Sequence, residues 1–235
     1  MKIESIINFY DRESIGATEF RRLYSNIKRS SDGDLKSVLV TSAAVEEGKS
    51  TMASFLAISI AESTGQKVLL LDTDLRRPMI NVLFKLPLEK GFADILEKRI
   101  GIKDTIKETP VKSLSIITAG KLNAEPSMIL TQTRLHEVFE ELRFYFDFIV
   151  VDVPPVIPVS DPIIIAGEVD GTLLVIRAGS TPKDVVKRAV NFLNNSKTNI
   201  LGVVLNNLDE VLPYYYSPRY YSYKYYDKPT PKAST

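Results

Sequence analysis

Cysteine is absent from this 235-residue chain, and histidine occurs once. Without thiols there is no disulfide framework, no thiolate-held iron–sulfur cluster and no thiolate zinc site. The absence fits a reducing compartment. His136, on a charge-rich stretch, is too solitary for a metal cluster or a Ser/His/Asp triad and reads as a solvated helix residue. An excess of either charge is also missing. Lys plus Arg number 30 and Asp plus Glu 29, so a net charge of +1 asks for neither nucleic acid nor a membrane surface. Long apolar runs are lacking too. The stretch from Phe148 to Ile165 is broken by Asp152, Asp161 and four prolines, short of the roughly 20 apolar residues a spanning helix needs. The start, Met1-Lys2-Ile3-Glu4, leads into no apolar core of a secretory signal.

What is present is a length that one α/β domain fills with a single core. Residues 1–36 are polar, with a helical patch around Glu19 to Lys28, and are read as a helical, oligomerisation segment. From Ser37, apolar runs of strand length appear at Ser37–Thr41, Val68–Leu71, Leu114–Ile117, Phe148–Val151, Thr172–Ile176 and Ile200–Leu205. Helical periodicity lies between several of them, at Ser50–Ser63, Met128–Leu142 and Pro182–Leu193. Strands apolar on both faces that alternate with helices predict a mostly parallel sheet covered on both sides, over 37–209. Residues 210–235 differ. Eight of the eleven tyrosines fall there, among Pro, Lys and Ser, with no aliphatic periodicity. That composition predicts a disordered tail.

Three segments carry chemistry. The first, Thr41-Ser42-Ala43-Ala44-Val45-Glu46-Glu47-Gly48-Lys49-Ser50-Thr51, follows a strand and opens a helix, the setting of a phosphate-binding loop. Gly48 lets the backbone approach phosphates, Lys49 reaches the β- and γ-phosphates, and the Ser50 hydroxyl ligates Mg²⁺. The helix N-terminus around Glu47 to Thr51 offers free N–H groups to the anion. A surface turn before an amphipathic helix is the plain alternative. The second segment is Val68-Leu69-Leu70-Leu71-Asp72-Thr73-Asp74-Leu75-Arg76-Arg77-Pro78. Its carboxylates at i and i+2 share one face at the carboxyl edge of the sheet, where ligands bind. There an acid can hold a metal-bound water or take a proton from an attacking hydroxyl, and Arg76 or Arg77 can stabilise a transferring phosphoryl group. The third, Phe148-Ile149-Val150-Val151-Asp152, has the form of a Walker B strand whose acid supports the Mg²⁺ shell. Asn206 ends a further strand at the same edge, where an amide can read a purine or simply end a strand.

These segments, in this order, resemble the bacterial tyrosine kinases of capsule and exopolysaccharide export, in the form of a cytoplasmic kinase subunit with a separate membrane activator. The similarity runs from about Thr18 to the C-terminus, and Asp72-Thr73-Asp74-Leu75-Arg76-Arg77-Pro78 is its most specific part. Asp152-Val153-Pro154-Pro155, Val159-Ser160-Asp161 and the tyrosine-rich tail also match. The resemblance implies a P-loop NTPase of three-layer α/β/α form that uses ATP and Mg²⁺. Lys49, Ser50 and Asp152 would hold MgATP, and Asp72 or Asp74 would serve as base or metal-shell ligand. Tyr214, Tyr215, Tyr216, Tyr220, Tyr221, Tyr223, Tyr225 and Tyr226 would be the phosphate acceptors. It further implies a membrane-anchored activator of the polysaccharide co-polymerase type, a tyrosine phosphatase, a tail that docks in a neighbouring subunit of a homo-oligomer, and a cytoplasmic place at the membrane's inner face.

The chain departs from the family in two places. Val45-Glu46 stands where the family usually has Pro-Gly, and Glu46 brings negative charge toward the phosphates. The ring-forming Glu-x-x-Arg-x-x-Arg helix aligns with Thr18-x-x-Arg21-x-x-Tyr24, so only the central arginine is kept. Two rivals remain. A ParA/MinD-like ATPase switch shares the fold but carries a second lysine early in the loop, where this chain has Ala43-Ala44-Val45. A non-catalytic nucleotide-binding regulator of an export complex is the other.

Overall fold

The computed structural model describes residues 4–30, 35–195 and 198–208. The elements run α1 (Ile15–Arg29), β1 (Ser37–Ser42), α2 (Lys49–Thr64), β2 (Val68–Asp72), α3 (Ile80–Phe84), α4 (Phe92–Leu96), β3 (Lys107–Glu108), β4 (Leu114–Ile117), α5 (Pro126–Ile129), α6 (Gln132–Tyr145), β5 (Phe148–Asp152), α7 (Asp161–Ala166), β6 (Gly171–Arg177), α8 (Lys183–Asn195) and β7 (Ile200–Asn206). Short 3₁₀ turns occupy Ile6–Phe9 and Ile102–Thr105.

The strands lie in the order β3-β4-β2-β5-β1-β6-β7. All pairings are parallel except that of β3 with β4. Alternation of side chains splits each central strand between two cores. Val38, Val40, Leu70 and Val150 face α2 and the N-terminal segment. Leu39, Leu69, Leu71, Ile149 and Val151 face α4, α6 and α7. A third cluster joins Leu174 to Ala189 and Leu193 of α8. Parallel crossovers and two covered faces explain why β1, β2 and β5 are buried at every residue.

Each strand expected from the sequence is present, within a residue or two. The two-residue β3 is an addition too short for any periodic signal. The expected helix at Met128–Leu142 is instead two helices. Thr131 takes an extended conformation at the position just before α6, while Leu130 is buried between them. His136 is exposed on α6, with its Nδ1 3.2 Å from Glu168 Oε2.

The N-terminal segment packs on the same core as the strands. The Ser14 hydroxyl caps α1 by accepting Ala17 N–H at 3.1 Å, and Lys28 and Arg29 lie in its last turn, favourable to the helix dipole. Phe20 meets Phe55 of α2 at 5.7 Å between ring centroids, and Tyr24 stands edge-on to Phe148 at 5.5 Å. The Tyr24 hydroxyl donates to Gln66 Oε1 at 2.8 Å. At the position aligned with a ring-forming arginine, this chain therefore places an inward-packed aromatic. Arg21 donates within its own chain, to Arg12 O at 2.8 Å and Thr18 Oγ1 at 2.9 Å. The phosphate-acceptor tyrosines, the tail as a whole and its expected disorder lie outside the described residues. Among those described, no helix is long and apolar enough to cross a membrane.

Candidate active site

The site forms where β1, β2 and β5 end together. β1 leads through 43–48 into α2, and Gly48 takes φ +90° as the residue before the helix. That region favours glycine. Space demands it too, since a Cβ on Gly48 would stand 2.2 Å from Asn206 Nδ2. Glu46 also has positive φ, +63°, which a side chain adopts only at a cost. The family's glycine at this position would take it freely.

Lys49 opens α2 and turns its ammonium inward. Nζ donates to Asp74 Oδ2 at 3.0 Å and to Ser50 Oγ at 3.1 Å, and lies 3.6 Å from Asp152 Oδ1. Burial works to depress the Lys49 ammonium, but the charges of Asp152 and Asp74 outweigh it and hold its pKa above the ordinary value. Lys49 is thus a firm cation, aimed where the loop would receive a phosphate.

Asp72 and Asp152 are register partners at the ends of β2 and β5, and both are fully buried. Their surroundings differ. Asp72 Oδ1 accepts Asp74 N–H and Oδ2 accepts Ile80 N–H, each at 3.1 Å. Neither oxygen of Asp152 has a hydrogen-bond partner. Burial pushes the Asp152 carboxyl up to about 6, with Lys49 and Ser50 opposing the rise. Asp72 is pushed well above the usual range, first by burial and then by the charge of Asp152. Asp74 joins the group: Oδ2 takes the Lys49 ammonium while Oδ1 accepts Arg77 N–H at 2.9 Å.

A buried carboxylate short of hydrogen bonds is costly unless something completes it. Asp152, beside the Ser50 hydroxyl, is such a carboxylate, and the pair fits the hard oxygen donors that Mg²⁺ takes. Among the described residues no group of three or more His, Cys, Asp or Glu side chains forms a cage. Mg²⁺ characteristically draws most of its ligands from waters and substrate phosphates, so the set suits a nucleotide-borne ion.

Arg76 extends from the β2–α3 loop to Asp161 at the start of α7. Its Nε and Nη2 donate to the two Asp161 oxygens at 2.8 and 3.2 Å. The fork fixes the orientation of the guanidinium. Arg77 is exposed. In the sequence Asp161 interrupts an apolar stretch and closes a matching tripeptide, with nothing to tie it to Arg76.

Glu47, expected among nucleotide contacts, has a buried side chain turned back into the loop. Oε2 accepts Ala44 N–H at 2.9 Å and Oε1 accepts the Thr181 hydroxyl. In the sequence Thr181 stands only as the residue before Pro182 at the start of a helix, with no link to the loop. Asn206 reaches the same edge as expected, with its amide already engaged: Nδ2 donates to Glu47 O at 3.0 Å and Oδ1 accepts Asn207 N–H at 2.9 Å. Thr51 is half-buried on the first turn of α2. A groove of about 610 Å³ runs between α1 and β7, lined in part by Ile15, Phe20, Met52 and Leu205, and meets the site only at its Asn206 end.

Known proteins share both sequence and fold with the chain. A family model described as ParA, NUBPL iron-transfer P-loop NTPase, matches residues 35–217. A putative tyrosine-protein kinase CapB from Staphylococcus aureus is 35% identical over 201 residues, 84% of this chain and 88% of the relative. The tyrosine-protein kinase YwqD of Bacillus subtilis (strain 168) is 32% identical, over 86% of this chain and 85% of the relative. The crystal structure of the chimerical protein CapA2B2 has a TM-score of 0.81 at 30% identity, covering 88% of this chain and 91% of that one. The kinase domain of the Escherichia coli tyrosine kinase ETK also scores 0.81, at 28% identity over 88% of this chain and 81% of that one. A cell-division ATPase MinD from Pyrococcus furiosus scores 0.64 at 23% identity over 74% of this chain and 73% of that one, a likeness of fold alone.

Proposed function

The chain belongs to the bacterial tyrosine kinases, within the ParA-type P-loop NTPases, and on that premise we propose that it is an ATP-dependent protein-tyrosine kinase that phosphorylates its own C-terminal tyrosines in trans. One observation carries the reading. Asp72, Asp74 and Asp152 converge beside the phosphate-loop lysine, with Arg76, on the segment of Asp72 and Asp74, held by Asp161. A nucleotide-binding loop alone needs one such acid. Two further carboxylates on the DxD segment suit proton removal from a hydroxyl nucleophile.

A tyrosine hydroxyl has an unperturbed pKa near about 10, so attack at neutral pH needs a proton acceptor and charge neutralisation at phosphorus. Asp72 or Asp74 takes the phenolic proton as the tyrosine oxygen bonds to the γ-phosphorus. The bond from that phosphorus to the β–γ bridging oxygen breaks, and ADP leaves. Lys49 neutralises the oxygens of the transferring group, and Arg76 adds a second positive charge to stabilise it. Ser50 and Asp152 would hold Mg²⁺, which supplies further charge neutralisation when bound. Positioning then provides most of the remaining acceleration.

Acceptors are Tyr214 to Tyr226. Each phosphate adds about −1.5 to −2 charge, so a modified tail is repelled from a site already rich in acids. A membrane-anchored activator, an opposing tyrosine phosphatase and a homo-oligomer complete the proposal, with the chain at the inner face of the membrane through its partner and acting on capsule or exopolysaccharide export. The test is incubation with MgATP and the activator's cytoplasmic end, followed by phosphosite mapping. The expected outcome is phosphotyrosine confined to 214–226, reduced at least about 100-fold in Lys49→Met. ATP hydrolysis without phosphotyrosine would instead establish a nucleotide switch.

A further inference from the structure

We infer that Thr181 is a positioning residue for nucleotide binding, acting through the Glu47 carboxylate to fix the shape of the phosphate-binding loop. This rests on the reading of 43–51 as the nucleotide loop and deepens it.

Glu47 poses a problem that Thr181 resolves. A carboxylate beside a phosphate-binding loop repels its ligand and competes for the same N–H donors. The Glu47 side chain is nonetheless buried in that loop, with the residue 4% exposed. Its two oxygens are occupied separately, one by Ala44 N–H from across the loop and the other by the Thr181 hydroxyl. The carboxylate is thereby turned away from the mouth and made into an internal strut.

Thr181 is itself fixed. Its N–H donates to Arg177 O at 3.0 Å, and its hydroxyl oxygen accepts Arg177 N–H at 3.1 Å. A hydroxyl has one proton to give and lone pairs to receive. With Arg177 N–H directed at the oxygen, the proton is left for Glu47. The end of β6 therefore dictates the direction of the bond that holds the loop. A second tether acts on the same residue. Asn206 Nδ2 donates to Glu47 O at 3.0 Å, and Asn206 O accepts Ala178 N–H at 2.9 Å. Glu47 is thus pinned by side chain to the β6–α8 corner and by main chain to the end of β7. A loop held this way is organised before ligand arrives, so binding carries less ordering cost.

Three changes separate the hydroxyl from its shape. Thr181→Val keeps the branched form and removes the donor; Thr181→Ser keeps the donor; Glu47→Gln puts an amide where two donors converge. MgADP titration by calorimetry is the readout, with thermal melts of each variant. The dissociation constant is expected to rise about tenfold in Thr181→Val and to stay within about twofold of the parent in Thr181→Ser. Thr181→Val should add little once Glu47→Gln is present, because both break one strut. In the kinase assay Thr181→Val should raise KM for ATP more than it lowers kcat. Unchanged MgADP affinity in Thr181→Val, equal losses in the valine and serine variants, or additive effects with Glu47→Gln would each overturn the proposal. If Thr181→Val fails to fold, amide exchange decides on the folded Thr181→Ser and Glu47→Gln variants. Protection at 43–48 should fall in Glu47→Gln and persist in Thr181→Ser, and no difference overturns the strut. Because MgADP binding needs no phosphotyrosine, a parent chain that binds MgADP but never phosphorylates would sink the kinase reading and leave the strut standing.

Discussion

The two ends of the same parallel sheet hold their acids in opposite states. At the amino edge, Asp170 accepts Lys36 N–H, Ser37 N–H and the Ser37 hydroxyl at 2.7–2.8 Å, and Asp147 accepts Lys67 N–H at 2.8 Å. Both are exposed, and both tie a strand start in place. At the carboxyl edge, Asp72, Asp74 and Asp152 are buried together near one ammonium, and Asp152 keeps only its 3.6 Å ion pair with Lys49. Acids that serve the fold are satisfied by backbone donors in water's reach. The three acids at the carboxyl edge are crowded and desolvated, and Asp152 is also left short of hydrogen bonds, an arrangement that destabilises the free protein and awaits a ligand.

The largest effect that sharpens this contrast is at Asp152. Its pKa in the fold, about 6, lies above the roughly 4 of an unfolded aspartate. Such a group contributes stability that is fully present below the unfolded value and lost as pH rises through the folded one. Urea melts should show the ligand-free chain gaining stability as pH falls from about 7 to about 5. Asp152→Asn should be more stable at pH 7 by as much as about 3 kcal/mol, with a shallower pH slope and without Mg²⁺-dependent nucleotide binding. Some slope should persist, since Asp72 is raised for the same reason. A destabilised Asp152→Asn would break the comparison. At the opposite edge, Asp170→Ala strands the N–H of fully buried Ser37. It should lose about 2 kcal/mol in the same melts while KM for ATP holds; a changed KM would show that the edges are coupled. The smallest effect is at Glu46. Glu46→Gly removes a side chain at φ +63°, and should raise stability by about 1 kcal/mol and tighten MgADP binding about twofold by removing a negative charge near the phosphates. A melting temperature that falls would show that Glu46 makes a contact outweighing its strain.

Much of this was legible along the chain. The strands were readable because burial on both faces demands unbroken Val, Leu and Ile, and the site acids were readable because they end those runs. Helix α2 could be placed but its packing could not. It is buried on nearly every side, between the sheet and α1, so it shows no apolar stripe. The short helices α3, α4 and α7 left no periodic trace. Asp161 was visible as a break in an apolar stretch and as part of a matching tripeptide, but its grip on Arg76 crosses 85 residues.

By itself the sequence determined the parallel α/β plan, the phosphate loop and the acids at strand ends, because each depends on neighbours within one turn or one strand. Tertiary structure alone decided which acid is orphaned, where Arg76 points, and that the Glu47 carboxylate turns back to Ala44 and Thr181. The Arg76 fork spans 85 positions, and the bonds that hold Glu47 span 134 and 159. Such bonds follow from where strands end in space, and carry no repeat or composition that a linear reading can detect.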